Sequence, residues 1–283
     1  MRHTPADRPW ELRPRTLAEL FDIAFRIYRA GFRAYLSMIA FSFLGLGAFG
    51  LDYLNLDVLH FETWLSIFGL GMTPPSGSRL QAAFGREFFF ADGAIFWTLA
   101  AALLAPVTAR AYLLGETRPL QQAGSMIRWE IWALAALVGM PIILLRLVGV
   151  PYLPDLLRFP ALCGPHLMVL ERYPLRTTLR RSWMLLRGDL PRALAVFGVS
   201  LVLVRLAAIM PFAGLFLIYH IVPELAPRPG LYLLPIVLLA ELLVYPAAQI
   251  AVTLLYYDLR MRREGLDIAL AAARREEEVA NSR

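Results

Sequence analysis

Apolar runs of roughly 20 residues alternate along this chain with shorter stretches in which leucines, aromatics and arginines recur at helical spacing. A run of that length is what a helix needs to cross a hydrocarbon core. Residues 1–13 are a polar arm, with Pro5 and Pro9 inside it and Pro14 following. Leu17, Leu20, Phe21, Ala24, Ile27, Tyr28 and Gly31 then fall on one helical stripe, while Glu19, Asp22, Arg26, Arg29 and Arg33 lie mostly off it. Thr16 and Glu19 stand at capping-box spacing, which satisfies exposed N–H groups at a helix start. This predicts an amphipathic helix lying in a membrane interface. A second such helix is predicted over 171–192, where Leu175, Leu179, Trp183 and Leu186 recur at steps of three and four among six arginines.

The long runs predict an all-α polytopic membrane helix bundle of about six spans, at 35–54, 93–114, 131–150, 151–170, 193–211 and 231–257. The chain then divides into a cytoplasmic arm and interfacial helix (1–34), a membrane domain (35–257) and a charged cytoplasmic tail (258–283). The fourth run holds Pro151, Pro154, Pro160 and Pro165, so a broken or partly re-entrant segment is the alternative to a continuous span. The apolar stretch 212–222 is read as continuing the fifth span at an angle after Pro211. Between the first two spans, Pro74-Pro75-Ser76-Gly77-Ser78 marks a turn, and the aromatics around it suit an outer headgroup layer.

Composition reinforces the pattern. The chain of 283 residues is 58% hydrophobic and only 18% charged, against about a quarter charged in soluble domains. All 28 basic residues are arginine, and the net charge is +6. That charge does not point to nucleic acid, because the arginines flank the apolar runs. With six spans, 1–34, 109–130, 171–192 and 258–283 share one side and carry 22 arginines, against 5 in the opposite loops. The positive-inside rule places that side, with both termini, in the cytoplasm. No cleavable signal peptide is expected, since no apolar core follows the first arginines. The single Cys163 excludes an internal disulfide and reads as a small buried hydrophobe.

Charged residues inside spans are costly unless paired or hydrated. Arg205, Glu241 and Arg146 therefore form the candidate intramembrane polar site. Arg205 and Glu241 sit mid-span in neighbouring antiparallel runs, as a gate, a polar substrate contact or a buried ion pair. Arg146 lies nearer an interface, where it can snorkel. Arg176, Arg180, Arg181 and Arg187 are candidate contacts for anionic lipid headgroups. His166 and His220 stand alone, without the spacing of a metal site. Gly45, Gly47 and Gly50 fit a dinucleotide-binding pattern, but inside a span they serve close helix approach instead. No catalytic residues, metal or cofactor are expected. The partners expected are membrane lipids and other membrane-protein subunits.

Three stretches beginning at Pro14, Pro119 and Pro174 share an order of proline, short amphipathic helix, aromatic with arginine, then a hairpin of spans. This is consistent with three repeated units, or with the shared needs of any entry into a membrane.

Three segments carry a family resemblance. They are Leu12-Arg13-Pro14-Arg15-Thr16-Leu17 through Ala24-Phe25-Arg26-Ile27-Tyr28-Arg29, Leu179-Arg180-Arg181-Ser182-Trp183 through Leu186-Arg187-Gly188, and Leu254-Leu255-Tyr256-Tyr257-Asp258-Leu259-Arg260 through Glu264-Gly265-Leu266-Asp267. Together they resemble the integral-membrane domain associated with bacterial glycerophosphodiester phosphodiesterases, which also occurs alone. The phosphodiesterase activity of that family belongs to a separate barrel of roughly 250 residues, with a His-Arg pair that this chain has only in reverse order, Arg2-His3. The resemblance implies an accessory module in a bacterial cytoplasmic (inner) membrane, and together with the lack of catalytic residues and the amphipathic helices it suggests a non-enzymatic accessory or scaffold module of a membrane complex. A transporter or lipid-handling permease with a mid-membrane polar site is the alternative.

Overall fold

The computed structural model describes residues 13–39, 79–115, 129–147, 157–221 and 229–269, with one further residue at 272. Side chains of 79–96, 142–147, Arg205, Glu241 and most of 208–238 fall outside that description. So do residues 40–54 of the first predicted span, the glycines at 45–50, and the Pro119 unit's opening. Every regular element among the described residues is helical.

α1 (Leu17–Ala30) starts as its sequence requires. Thr16 accepts a hydrogen bond from the Glu19 N–H at 3.3 Å, and Glu19 accepts one from the Thr16 N–H at 2.8 Å. Leu20, Ile23, Ala24, Ile27 and Tyr28 are its buried face. After Gly31 the chain is helical again over 32–39. α2 (Arg79–Leu114) and α3 (Trp129–Leu147) cover the second and third predicted spans.

The fourth predicted run is not one continuous helix over its described part. A turn at 157–158 leads into a 3-10 turn (Phe159–Ala161) and then a seven-residue helix, α4 (Gly164–Leu170). Seven residues rise about 10 Å, a third of a hydrocarbon core. α5 (Leu175–Leu186) follows, linked by Arg172 in the left-handed region at φ 58°. A 3-10 turn (Arg187–Asp189) leads to α6 (Leu190–Ile221), whose backbone stays helical through Pro211. α7 (Pro229–Glu264) is 36 residues long, about 54 Å, and runs well past the predicted end of the sixth span.

α7 is the hub. Every residue from Tyr245 to Leu259 is buried, so protein surrounds this half of the helix on all sides. Contacts at both ends fix how its neighbours run. Trp97 meets Tyr245 (5.3 Å between ring centroids) and Tyr112 meets Tyr257 (5.7 Å), so α2 is parallel to α7. His166 meets Thr253 and Glu171 meets Arg260, so α4 is parallel too. α6 starts beside the end of α7, where Arg192 meets Asp258, and the two helices make the most extensive pairing among the described elements.

α1 gives the largest departure from expectation. The Arg15 N–H donates to Asp258, and the Tyr28 hydroxyl donates to the Leu243 carbonyl at 2.8 Å. Arg15, just ahead of α1, and Tyr28 are thirteen residues apart, and Leu243 and Asp258 of α7 fifteen, about 20 and 22 Å. Contacts at both limits require the two helices to lie side by side and antiparallel. α1 is laid along α7, whereas a helix lying in an interface is expected to cross a spanning helix at its end. The periodicity that marks its buried face is the same in either arrangement, so spacing alone cannot choose between them.

Among the described residues, two stretches, Trp97–Leu114 and Leu242–Glu264, are long and apolar enough to cross a membrane. A smaller apolar cluster of Ala102, Ile131, Leu134, Val138, Ala161 and Met168 joins α2, α3 and the α4 region, with Leu175 and Leu179 of α5 against it. α5 therefore does not present Leu175, Leu179, Trp183 and Leu186 as one buried stripe. Its buried residues are Thr178, Ser182, Leu185 and Leu186, a face roughly 70° around the axis from the predicted one. Ser182 decides the rotation. Its hydroxyl donates to the Pro160 carbonyl at 2.8 Å and accepts from the Cys163 N–H at 3.3 Å, stapling α5 to the turn before α4.

Candidate functional site

The four arginine-rich segments are far apart in sequence, and the described parts of three of them are tied together at one end of the bundle. Asp258, at 0% exposure, is the centre. One carboxylate oxygen accepts the Arg15 N–H at 2.7 Å. The other lies 2.8 Å from Arg192 Nε and 2.9 Å from Arg262 Nε. Arg192 and Arg262 also donate to the Arg15 carbonyl, the latter at 2.9 Å. A buried carboxylate is tolerable only when its lone pairs are filled and its charge is matched. Here α1, α6 and α7 each supply a partner.

A second knot lies on the same end. Glu264 is 2.8 Å from both Arg181 and Arg260. Glu171 is 3.2 Å from Arg260 and 3.8 Å from Arg181, and accepts the Tyr256 hydroxyl. Arg181 lies over the Tyr173 ring and Arg260 over the Tyr256 ring, at 5.1 and 5.8 Å to the centroids. The knot joins α4, α5 and α7.

From this end a polar strip runs up α7. Tyr245, Gln249, Thr253, Tyr256, Arg260 and Glu264 fall within about 100° of the helix circumference. His166 Nε2 lies 2.9 Å from Thr253 Oγ1, and its ring stacks on Tyr256 at 5.5 Å. Thr253 donates to the Gln249 carbonyl at 3.0 Å. The Gln249 side chain is fully buried, and neither its amide nitrogen nor its oxygen has a hydrogen-bond partner among the described residues. The Ser200 hydroxyl of α6 is in the same condition. A small cavity beside Trp97, Thr98, Leu134 and Arg158 encloses about 10 Å³, room for a water at most.

The structure places the predicted site residues as follows. Arg205 is on α6, Glu241 on α7 and Arg146 on α3, with side chains outside those described. Measured from the Arg192–Asp258 contact, Arg205 stands thirteen residues along α6 and Glu241 seventeen along α7, about 20 and 26 Å. Glu241 shares its register with the buried face of α7, opposite exposed Leu239 and Leu243. Arg205 shares its register with Leu194, which is exposed. On the lipid candidates, Arg176, Arg180 and Arg187 are exposed, but Arg181 is turned inward onto Glu264. Asp258 and Glu171 are the residues that sequence reasoning passed over. A single acid between buried apolar residues and a cluster of arginines was the available signal. Cys163 is buried and unpaired in a disulfide, as expected.

Among the described residues, no group of three or more His, Cys, Asp or Glu is placed to hold a metal ion. No protein-family model, curated protein or solved structure matches this chain.

Proposed function

We propose that this chain is a non-enzymatic integral membrane protein of about six spans, with its arginine-rich end on the cytoplasmic face, acting as an accessory or scaffold module of a membrane complex. The observation that carries this reading is the gathering of Arg15, Arg181, Arg192, Arg260 and Arg262 at one end. Basic residues shared by one end of a helix bundle are what the positive-inside rule selects. The exposed apolar residues of α3 and α6, among them Trp132, Leu137, Met140, Val202, Leu206 and Met210, suit contact with lipid. The resemblance to the membrane domain associated with glycerophosphodiester phosphodiesterases points the same way. Purification in mild detergent should recover a stoichiometric membrane partner. A homogeneous preparation without any partner overturns the scaffold role.

One observation favours a second reading, a permease. Gln249 is a buried amide with nothing to bond among the described residues, on a strip that Glu241 approaches by register. Buried polar groups left unpaired cost about 1–3 kcal/mol each and are retained where a water or a polar ligand uses them. For a scaffold, Gln249→Leu should raise thermal stability and leave partner recovery intact. For a permease it should abolish uptake of the transported solute.

A further inference from the structure

The outward face of α5 consists of the residues that the knots leave over. With Thr178, Ser182, Leu185 and Leu186 buried, Arg176, Arg180, Trp183, Met184 and Arg187 share the opposite strip, about 100° wide. Arg176, Arg180 and Arg187 are exposed and make no ion pair with any described residue. No acidic residue stands on the strip. Trp183 and Met184 are 44% and 45% exposed, a poor arrangement for side chains facing water. The chain then turns into α6, which opens with exposed Leu190 and Leu194 and continues with Val202 and Leu206 exposed. Along the chain, guanidinium groups thus flank an indole, and exposed apolar positions of α6 follow them.

Those three kinds of group match the three parts of a phospholipid: guanidinium for the phosphate, tryptophan for the carbonyl layer where it sits, and apolar side chains for the acyl chains. A soluble acidic partner would match the charges but leave Trp183, Leu190 and Leu194 without a role. Guanidinium is also the group best shaped to grip phosphate with paired hydrogen bonds. We propose that the outward face of α5 binds an anionic phospholipid, with its phosphate on Arg176, Arg180 and Arg187, its carbonyl region at Trp183 and its chains along the start of α6. The site rests on the membrane placement proposed above. It is held in place by the Ser182 staple, so the arginines are presented rather than recruited.

The test uses the full chain in phosphatidylcholine nanodiscs doped with brominated phosphatidylglycerol or brominated phosphatidylcholine. The readout is quenching of tryptophan emission, with Trp183→Phe subtracted to isolate Trp183. Brominated phosphatidylglycerol should quench Trp183 more strongly than brominated phosphatidylcholine. That selectivity should fall about fivefold for each of Arg176→Gln, Arg180→Gln and Arg187→Gln. Inorganic phosphate should not displace the lipid. Arg181→Gln, which removes an inward tie, should lower thermal stability and leave selectivity unchanged. Equal quenching by the two lipids, selectivity that survives the triple substitution, or displacement by inorganic phosphate overturns the site. Release of the chain from membranes by carbonate washing overturns the membrane placement itself, a separate result.

Discussion

The arginines at the closed end of the bundle fall into two groups that composition cannot tell apart. Arg192 and Arg262 converge on fully buried Asp258, and Arg181 and Arg260 on Glu171 and Glu264. Arg176, Arg180 and Arg187, on the neighbouring face of α5, meet no carboxylate among the described residues. The first group is spent on holding α1, α4, α5, α6 and α7 together. The second is left for whatever lies outside. Burial of the Asp258 carboxylate makes the difference, although Arg262 itself reaches the surface. A desolvated charge must be matched within the fold, and removing one member leaves the others stranded, whereas an exposed charge keeps its water and can exchange it for a ligand.

Removing the hub gives the largest expected effect. Asp258→Ala strands Arg192, Arg262 and the Arg15 N–H, and should cost about 3–5 kcal/mol, read as a loss of thermal stability in detergent or outright failure to accumulate. A stable Asp258→Ala protein would erase the distinction between the two groups. Next comes Arg181→Gln, expected to cost about 1–2 kcal/mol, since its hydrogen bond to Glu264 is charge-assisted and partly shielded. Arg180→Gln, one residue away and exposed, should change stability by under about 0.5 kcal/mol. Equal losses from the two would mean that α5 is not oriented as described.

Thr16→Ala should cost about 1 kcal/mol through the lost cap, and should loosen Arg15 from Asp258 because the cap fixes where α1 begins. Hydrogen exchange at the start of α1 checks this. The smallest effect is a pH dependence. The backbone hydrogen bond from Thr16, helped by Arg13, holds the Glu19 carboxyl down to about 2 from its usual 4.5. A depressed carboxyl contributes stability above its unfolded value and loses it as pH falls through the folded one. The difference in thermal stability between wild type and Glu19→Gln should therefore be constant above about pH 4.5 and vanish toward pH 2. A difference that persists at pH 2 would rule out the capping carboxylate as its source.

Much of this was legible beforehand, and what was not has a common cause. The start of α1 and its buried stripe follow from local periodicity and a local cap, which need no knowledge of partners. The existence of α5 was legible for the same reason, but its orientation was not. Spacing put Trp183 on the apolar stripe of an interfacial helix, while Thr178 and Ser182 are the residues buried in the protein, because Ser182 finds two backbone partners in the turn at 160–163. The role of Asp258 depends on groups 66 to 243 residues away, and spacing carries no record of such encounters. The predicted focus on Arg205 and Glu241 came from hydropathy, which flags a charge in an apolar run but cannot say which face of its helix it occupies.

The side-by-side, opposed course of α1 and α7 has a consequence for biogenesis. Arg15 and Asp258 are 243 residues apart in the chain. During synthesis, the first helix leaves the ribosome long before its mate exists, with Leu20, Ile23 and Ile27 uncovered in the interval. Nascent chains arrested ahead of Asp258 should therefore be held by chaperones or cleared by quality-control proteases. Folding of this end of the bundle then waits for α1 and α7 to come to rest against each other.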